Sequence, residues 1–301
     1  MLLLTGATGY LGRAVLSELL ERGVSVRLAT RRAPSGSATW KPLHLEALED
    51  IKDETFVGIS GVIHCAGLAH RSASSEQYEE LNTQAVLKLA GLANRFGVKR
   101  FLFVSTLNVV PHWAEHPDTD VLDYPIPKEP YAASKWFAEK QLSEYCNRKN
   151  ISLCIVRPAL IYDLELTANL AKLMRLLKWW PCALPRRGWR CLVSRPDVAS
   201  LIANRAVNVS CPSREILAAT DGELYDSYRI GRAISGRQSA WPVPDMTYRL
   251  GALLMDLGNR SGRRNLWKTL SKDHWCAMPR RIDGWMPKWT LESRLAEGNR
   301  S

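Results

Sequence analysis

The chain has 301 residues, 46% hydrophobic and 24% charged, a globular composition long enough for one large α/β domain or for a nucleotide-binding domain with a smaller lobe. Its net charge of +11 and pI near 9.4 point to acidic partners, and much of the basic excess lies after residue 172, interleaved with tryptophan. No stretch approaches the roughly 20 apolar residues of a membrane span. The seven cysteines show no metal-ligand spacing, and the opening apolar run lacks a basic leader, so a reduced, metal-free, cytoplasmic protein is expected.

Leu2 to Thr5 reads as a short buried strand that runs into Gly6-Ala7-Thr8-Gly9-Tyr10-Leu11-Gly12. The spacing G-x-x-G-x-x-G is one residue longer in its first step than the G-x-G-x-x-G fingerprint. Such a turn lets the backbone approach a pyrophosphate, which the amides of the following helix then meet, while the third glycine lets helix and strand pack closely. Leu11, Val15, Leu16, Leu19 and Leu20 share one helical face, and Gly23 is the expected stop. Val24 to Thr30 alternates as a second strand and is followed by Arg31-Arg32, with no acid in reach. An acid there would bind the ribose hydroxyls of NAD, whereas a basic residue accommodates the extra phosphate of NADP. NADP is therefore favoured over NAD.

Next come a loop at 33–39, a short strand near Leu43 and a helical stretch from Leu48 to Phe56. Gly61 to Gly67 reads as a buried strand ending in small residues, Ala66 among them, that suit close approach of a cofactor. Gln77 to Phe96 has one long helical pattern carrying Asn82, and Phe101 to Thr106 is a strand ending in two hydroxyl residues. Alternation at this spacing predicts right-handed βαβ units and a parallel sheet, with ligands beyond the carboxyl ends of the strands, where Gly6, Ala66 and Thr106 fall. After a proline-rich loop, Tyr131-Ala132-Ala133-Ser134-Lys135 opens a helix to about Asn147. Tyr131 and Lys135 lie one turn apart on the same face, where an ammonium is expected to lower the phenol's pKa and make it a usable acid or base.

With these elements in this order, the chain resembles the extended short-chain dehydrogenase/reductase family, and within it the nucleotide-sugar epimerases, dehydratases and 4-keto-sugar reductases. The likeness runs through nearly the whole chain. Thr5 to Gly12 matches the cofactor turn, Asn82 the asparagine of the central helix, and Glu129-Pro130-Tyr131 with Ser134-Lys135 the catalytic helix. Arg157-Pro158-Ala159-Leu160-Ile161-Tyr162 matches the following strand, Asp197-Val198-Ala199 a later helix start, and Gly284-Trp285-Met286-Pro287 the closing segment. The resemblance implies a Rossmann-type doubly wound parallel sheet over residues 1–162 and a smaller α/β substrate lobe over 163–301, with some chain exchange between them. It also implies catalysis by Tyr131 as acid/base, Lys135 as its partner on the nicotinamide ribose, and Thr106 bonded to the reacting sugar oxygen. Cofactor contacts are implied at Thr5, Gly6, Gly9, Tyr10, Leu11, Gly12, Ala66, Asn82 and Pro158, besides Arg31 and Arg32. The chain departs from the family pattern at Asp163-Leu164, where Gly-Pro is usual, at Ser194-Arg195, where an aromatic or histidine is usual, and at Thr106, where serine is commoner.

In the distal half, Asn169 and Arg190 lie where the family contacts the substrate diphosphate, and a cation suits that task. Lys178 to Arg190 combines aromatic and basic residues, consistent with a solvated loop anchored by tryptophans, a substrate flap or peripheral contact with an anionic membrane. Residues 240–283 carry no motif with a chemical role, and His70, His112 and His274 are isolated. No nucleic-acid motif accompanies the charge. The expectation is NADPH-dependent reduction of a UDP-4-keto-6-deoxy-hexosamine in surface polysaccharide assembly. The alternatives are a UDP-hexose or UDP-N-acetylhexosamine 4-epimerase with bound NAD, and a catalytically inactive nucleotide-binding sensor. A homodimer through Leu87–Phe96 and Trp136–Tyr145 is also expected from the resemblance.

Overall fold

A computed structural model describes residues 1–30, 43–44, 53–69, 73–179, 184–208, 212–236, 244, 246–250, 253, 273 and 281–298. The first strand, β1 (Leu2–Thr5), is buried at all four positions. Leu2 and Leu4 enter one apolar cluster and Leu3 another, so both faces of the strand are covered, as a parallel sheet requires. β2 (Val26–Thr30), β3 (Leu43–His44), β4 (Gly61–His64), β5 (Arg100–Val104), β6 (Ser152–Pro158) and β9 (Arg214–Ala219) complete a seven-stranded parallel sheet of order β3-β2-β1-β4-β5-β6-β9. The chain builds outward through β3 and then returns to the far side of β1. That reversal opens a crevice beyond the carboxyl ends of β1 and β4.

Helices cover both faces. α1 (Tyr10–Glu21) and α6 (Arg195–Val207) pack together over Leu2, Leu4, Leu28, Val104 and Val156, with Val15 and Leu19 of α1 buried against them. Gly23, in the left-handed region at φ +70°, ends α1 by donating its N–H to the Leu20 carbonyl at 2.9 Å. On the other face α3 (Ala85–Arg95) and α4 (Pro130–Lys149) bury Val86, Leu89, Ala138 and Leu142 against Leu3, Val62, Phe101, Phe103 and Ile155. Pro130 starts α4, where its missing N–H costs nothing, and left-handed Asn150 ends it.

The helical pattern from Gln77 to Phe96 is not one α-helix. A capping box of Ser74 and Gln77 starts α2 (Ser75–Glu79), a π turn follows at Glu80–Gln84, and α3 resumes. The turn carries one extra residue and so rotates Asn82 and Thr83 inward, where both are fully buried. Of the expected helix Leu48–Phe56, residues 48–52 lie outside the described residues and Asp53–Phe56 form a 3₁₀ turn.

A second sheet joins β7 (Leu160–Tyr162) in parallel to β8 (Arg190–Ser194), which pairs antiparallel with β10 (Leu224–Tyr225). α5 (Ala168–Trp179), α7 (Ser227–Ser235) and α8 (Leu291–Gly298) stand beside it, and Tyr162, Leu170, Leu192, Tyr225, Ile230 and Leu291 form its core.

Candidate functional site

The crevice is built from close backbone contacts that only glycine permits. Gly6 has φ +71°, and a Cβ there would fall 2.5 Å from the Ala66 nitrogen and 2.7 Å from the Cys65 carbonyl carbon. A Cβ at Gly12 would fall 2.0 Å from the Gly6 oxygen, so the first turn of α1 lies directly on the glycine turn. Gly9 donates its N–H to the Gly6 oxygen at 2.9 Å and precedes α1 without a side-chain cap, and the first turn of α1 holds no acidic residue. The first amides of α1 are thus left to an anion. The cradle fits the diphosphate of a dinucleotide.

Thr5 joins this turn to β4. Its Oγ1 lies 2.9 Å from His64 Nδ1 and accepts the Ala66 N–H at 3.3 Å. Burial, with a contribution from the Lys135 charge, lowers the His64 pKa to about 3, so the imidazole is neutral. Tyr10 turns the other way: its hydroxyl donates to the Glu165 carbonyl at 3.3 Å and its ring lies under the Arg195 guanidinium, 4.6 Å from the ring centre. Leu11 packs into the apolar cluster beneath α1.

The second half of the site is the amino-terminal turn of α4 against the end of β5. The Thr106 hydroxyl is hydrogen-bonded to Tyr131 and accepts the Asn108 N–H at 3.3 Å. Lys135 is buried, donates to the Val104 carbonyl at 3.0 Å and rests 4.6 Å from the centre of the Phe103 ring. A Cβ on Gly67 would lie 3.2 Å from its Nζ and 3.1 Å from Asn82 Oδ1, so the loop after β4 closes on the same spot. Asn82 is a brace: Oδ1 accepts the Leu68 N–H at 2.7 Å, while Nδ2 donates to the Leu68 carbonyl at 3.1 Å and to Ser134 Oγ at 3.0 Å. Thr83 Oγ1 adds a bond to the Ser134 carbonyl at 2.8 Å. The π turn therefore fixes the helix that carries Tyr131 and Lys135 to the loop after β4.

The protonation states differ from the expectation. Burial pushes the Tyr131 phenol up to about 12 against the lowering effect of Thr106, and Tyr78 raises it further. The Lys135 ammonium does not depress it, because it is held on the Val104 carbonyl. Burial also brings Lys135 down to about 8, countered by Cys65 and Glu139. At neutral pH the phenol is protonated and the lysine is largely charged.

Pro158, the last residue of β6, is buried and pairs in register with Ala219. The preceding Arg157 is fully buried and fixes α4 from below, with Nε and Nη2 on Glu139 (shortest contact 2.6 Å) and Nη1 on the Pro117 and Thr119 carbonyls. Arg190 starts β8 opposite Tyr225, with Nε donating to the Gly188 carbonyl at 2.9 Å. Asn169 lies in the first turn of α5. Arg31 and Arg32 lie outside the described residues, as do His70, His274 and most of 240–283.

The two departures at Asp163 and Arg195 meet in space. Asp163 is buried at the end of β7, and its Oδ2 accepts Arg195 Nε at 2.5 Å while Oδ1 accepts Arg294 Nε at 2.8 Å. Ser194 caps α6, its Oγ accepting the Asp197 N–H at 3.1 Å. Each departure was visible singly in sequence; the signal for the pair was their complementary charge.

Among the described residues, no group of three or more His, Cys, Asp or Glu side chains could hold a metal ion, and no helix is long and apolar enough to cross a membrane. The sequence model of the NAD dependent epimerase/dehydratase family matches residues 2–173. A UDP-glucose 4-epimerase of Vibrio cholerae is 28% identical across 97% of this chain and 92% of its own. A 4-hydroxy-2-methyl-3-oxo-4-farnesyl-3,4-dihydroquinoline-1-oxide ketoreductase of Stigmatella aurantiaca is 29% identical across 72% of this chain and 67% of its own. Among solved structures, the Thermus thermophilus UDP-glucose 4-epimerase complex with NAD superposes with a TM-score of 0.68 at 21% identity, covering 99% of this chain and 98% of that one. At that identity the superposition establishes the shared fold.

Proposed function

The chain belongs to the NAD dependent epimerase/dehydratase family of nicotinamide-dependent enzymes, and on that premise we propose that it reduces a UDP-4-keto-6-deoxy-hexosamine with NADPH, for surface polysaccharide assembly. The observation that carries oxidoreduction is the Tyr131–Thr106 hydrogen bond beside buried Lys135, at the carboxyl end of β5. In this mechanism Thr106 and Tyr131 hold the substrate carbonyl oxygen, and Tyr131 gives that oxygen its phenolic proton as the carbonyl becomes an alcohol. A bound nicotinamide supplies the hydride. A phenol kept protonated up to about pH 12 is in the form a general acid needs. Lys135 would hold the nicotinamide ribose, while Asn82 holds both side chains in place through Ser134 and Leu68.

Glycines 6, 9 and 12, with Thr5 and Ala66, hold the cofactor diphosphate, and Arg31 and Arg32 take the NADP 2′-phosphate. Residues 1–162 supply this half and 163–301 mainly the substrate lobe, where Asn169 and Arg190 meet the UDP diphosphate. Two copies of α3 and α4 would form a homodimer. The Vibrio cholerae relative favours a second reading, a UDP-sugar 4-epimerase with bound NAD. Incubation of the purified protein with UDP-sugars and no added reductant separates the two. Sustained interconversion identifies the epimerase, whereas stoichiometric loss of NADPH absorbance with a UDP-4-keto-sugar identifies the reductase. Failure to bind either dinucleotide supports the inactive sensor.

A further inference from the structure

Arg195 stands at the junction of the cofactor turn and the small lobe. It is the first residue of α6, and its guanidinium is fixed on two sides: Nε and Nη2 both reach Asp163 Oδ2 at 2.5 Å, and its plane rests 4.6 Å from the centre of the Tyr10 ring. Tyr10 is itself held, its hydroxyl on the Glu165 carbonyl, and it is the first residue of α1, directly after the glycine turn. Asp163 is 1% exposed and shares its charge with Arg294, so it neutralises Arg195 only in part. Arg294 in turn is paired with Glu297. Arg195 Nη1 has no acceptor among the described residues, and the side chain remains 25% exposed. A planar cation with one edge and one face occupied and another edge open, beside a helix N-terminus free of acidic groups, is built to receive a phosphoryl oxygen.

We propose that Arg195 is a diphosphate-binding residue, oriented by Asp163 and Tyr10, that holds a phosphoryl group of the dinucleotide or of the nucleotide-sugar as it lies between the glycine turn and the small lobe. The assignment rests on the nicotinamide-dependent reading of the site and adds a cation to it. Substituting Arg195 leaves buried Asp163 paired with Arg294, so the fold keeps its charge balance and the variant remains a usable probe.

The test uses the full-length protein and its variants Arg195→Gln and Arg195→Lys, with circular dichroism to verify folding. NADPH and NADH affinities are read by fluorescence titration, and UDP affinity by calorimetry. Arg195→Gln is expected to weaken a diphosphate ligand about ten- to a hundredfold, with Lys recovering part of the loss. Loss for the dinucleotides alone assigns the cofactor diphosphate, and loss for UDP alone assigns the substrate diphosphate. Adenosine and uridine, which carry no phosphate, serve as controls; equal loss for these would overturn the phosphate assignment. Wild-type binding with Arg195→Gln unchanged for all ligands overturns the proposal and leaves the oxidoreductase reading intact. Absence of binding by the wild type overturns both.

Discussion

Asp221 is expected to make the small lobe more stable in mild acid than at neutral pH. Its Oδ2 lies 3.0 Å from the Tyr162 hydroxyl and 2.7 Å from the Tyr225 hydroxyl. Tyr162 also reaches the Trp289 carbonyl at 3.0 Å, and the Leu291 N–H donates to Tyr225 at 3.0 Å. Both phenols thus point at Asp221 Oδ2, and the single Tyr162 proton is shared between that oxygen and the Trp289 carbonyl. Burial raises the Asp221 pKa to about 6, over the opposing hydrogen bonds from Tyr225, the Glu223 amide and Tyr162, with the Glu223 carboxylate raising it further. The Arg229 guanidinium over the Tyr225 ring is engaged by Glu223 and Glu292. An unfolded aspartate releases its proton near 3.8, and the folded one holds it to about 6. Between these values the native state binds more protons, so stability is greatest below the lower one and falls as pH rises through the upper. The whole span is worth about 3 kcal/mol, of which about 1.4 kcal/mol lies between pH 5 and pH 7.5. Urea unfolding of the wild type and Asp221→Asn at both pH values isolates this group from the other carboxylates. The stability difference between the two proteins should shift by that amount in favour of the wild type at pH 5. A difference that stays constant, or a carbon-13 titration of Asp221 with its midpoint below 4, would refute the reasoning from burial.

Tyr131→Phe removes the phenolic proton and keeps the ring beside Tyr78, so turnover should fall about 100- to 10,000-fold while dinucleotide affinity holds; steady-state rates that stay at the wild-type level remove Tyr131 from the chemistry. Gly12→Ala places a methyl 2.0 Å from the Gly6 oxygen, and the forced shift of the turn should abolish dinucleotide binding in a fluorescence titration and lower stability by about 1–3 kcal/mol. Arg157→Met strands the Glu139 carboxylate, only 1% exposed, and should cost about 3–5 kcal/mol in denaturant unfolding, most of it recovered by adding Glu139→Leu. A single variant as stable as the double would show that the pair does not hold α4.

What the sequence disclosed and what it concealed follow from the range of the interactions. The glycine turn, the buried strands and the helix after Pro130 are set by neighbours within a few residues, and Gly6, Gly12 and Pro130 stand where local geometry demands them. The π turn at Glu80–Gln84 escaped because hydrophobic periodicity tolerates one extra residue, although that residue is what turns Asn82 and Thr83 inward. The lysine's effect on Tyr131 was misjudged because shared helical face does not fix side-chain direction: Lys135 reaches across to Val104 on β5, 31 residues away in sequence. The Arg157 anchor was hidden for the same reason, since its partners come from α4 and from the loop at 117–119.

The departures at Asp163 and Ser194-Arg195 look in sequence like erosion of a substrate mouth, yet in space they make a continuous brace. Ser194 caps α6 and donates to Asp197 Oδ2 at 2.6 Å, and the same carboxylate accepts the N–H groups of Lys288 and Trp289 at 2.9 and 3.1 Å. The Trp285 indole donates to the Asp197 carbonyl at 3.1 Å, so the closing Gly-Trp-Met-Pro segment is docked on the start of α6. Within the same turn, Arg195 ties that helix to Asp163, the residue after β7, and to Tyr10 of α1. A carboxylate as buried as Asp197 or Asp163 is stable only when several donors meet it, and both are fully met. The matched charges at 163 and 195, with Arg294 sharing the load, hold the geometry at the cofactor turn, and a held geometry there argues for a working enzyme over an inert sensor.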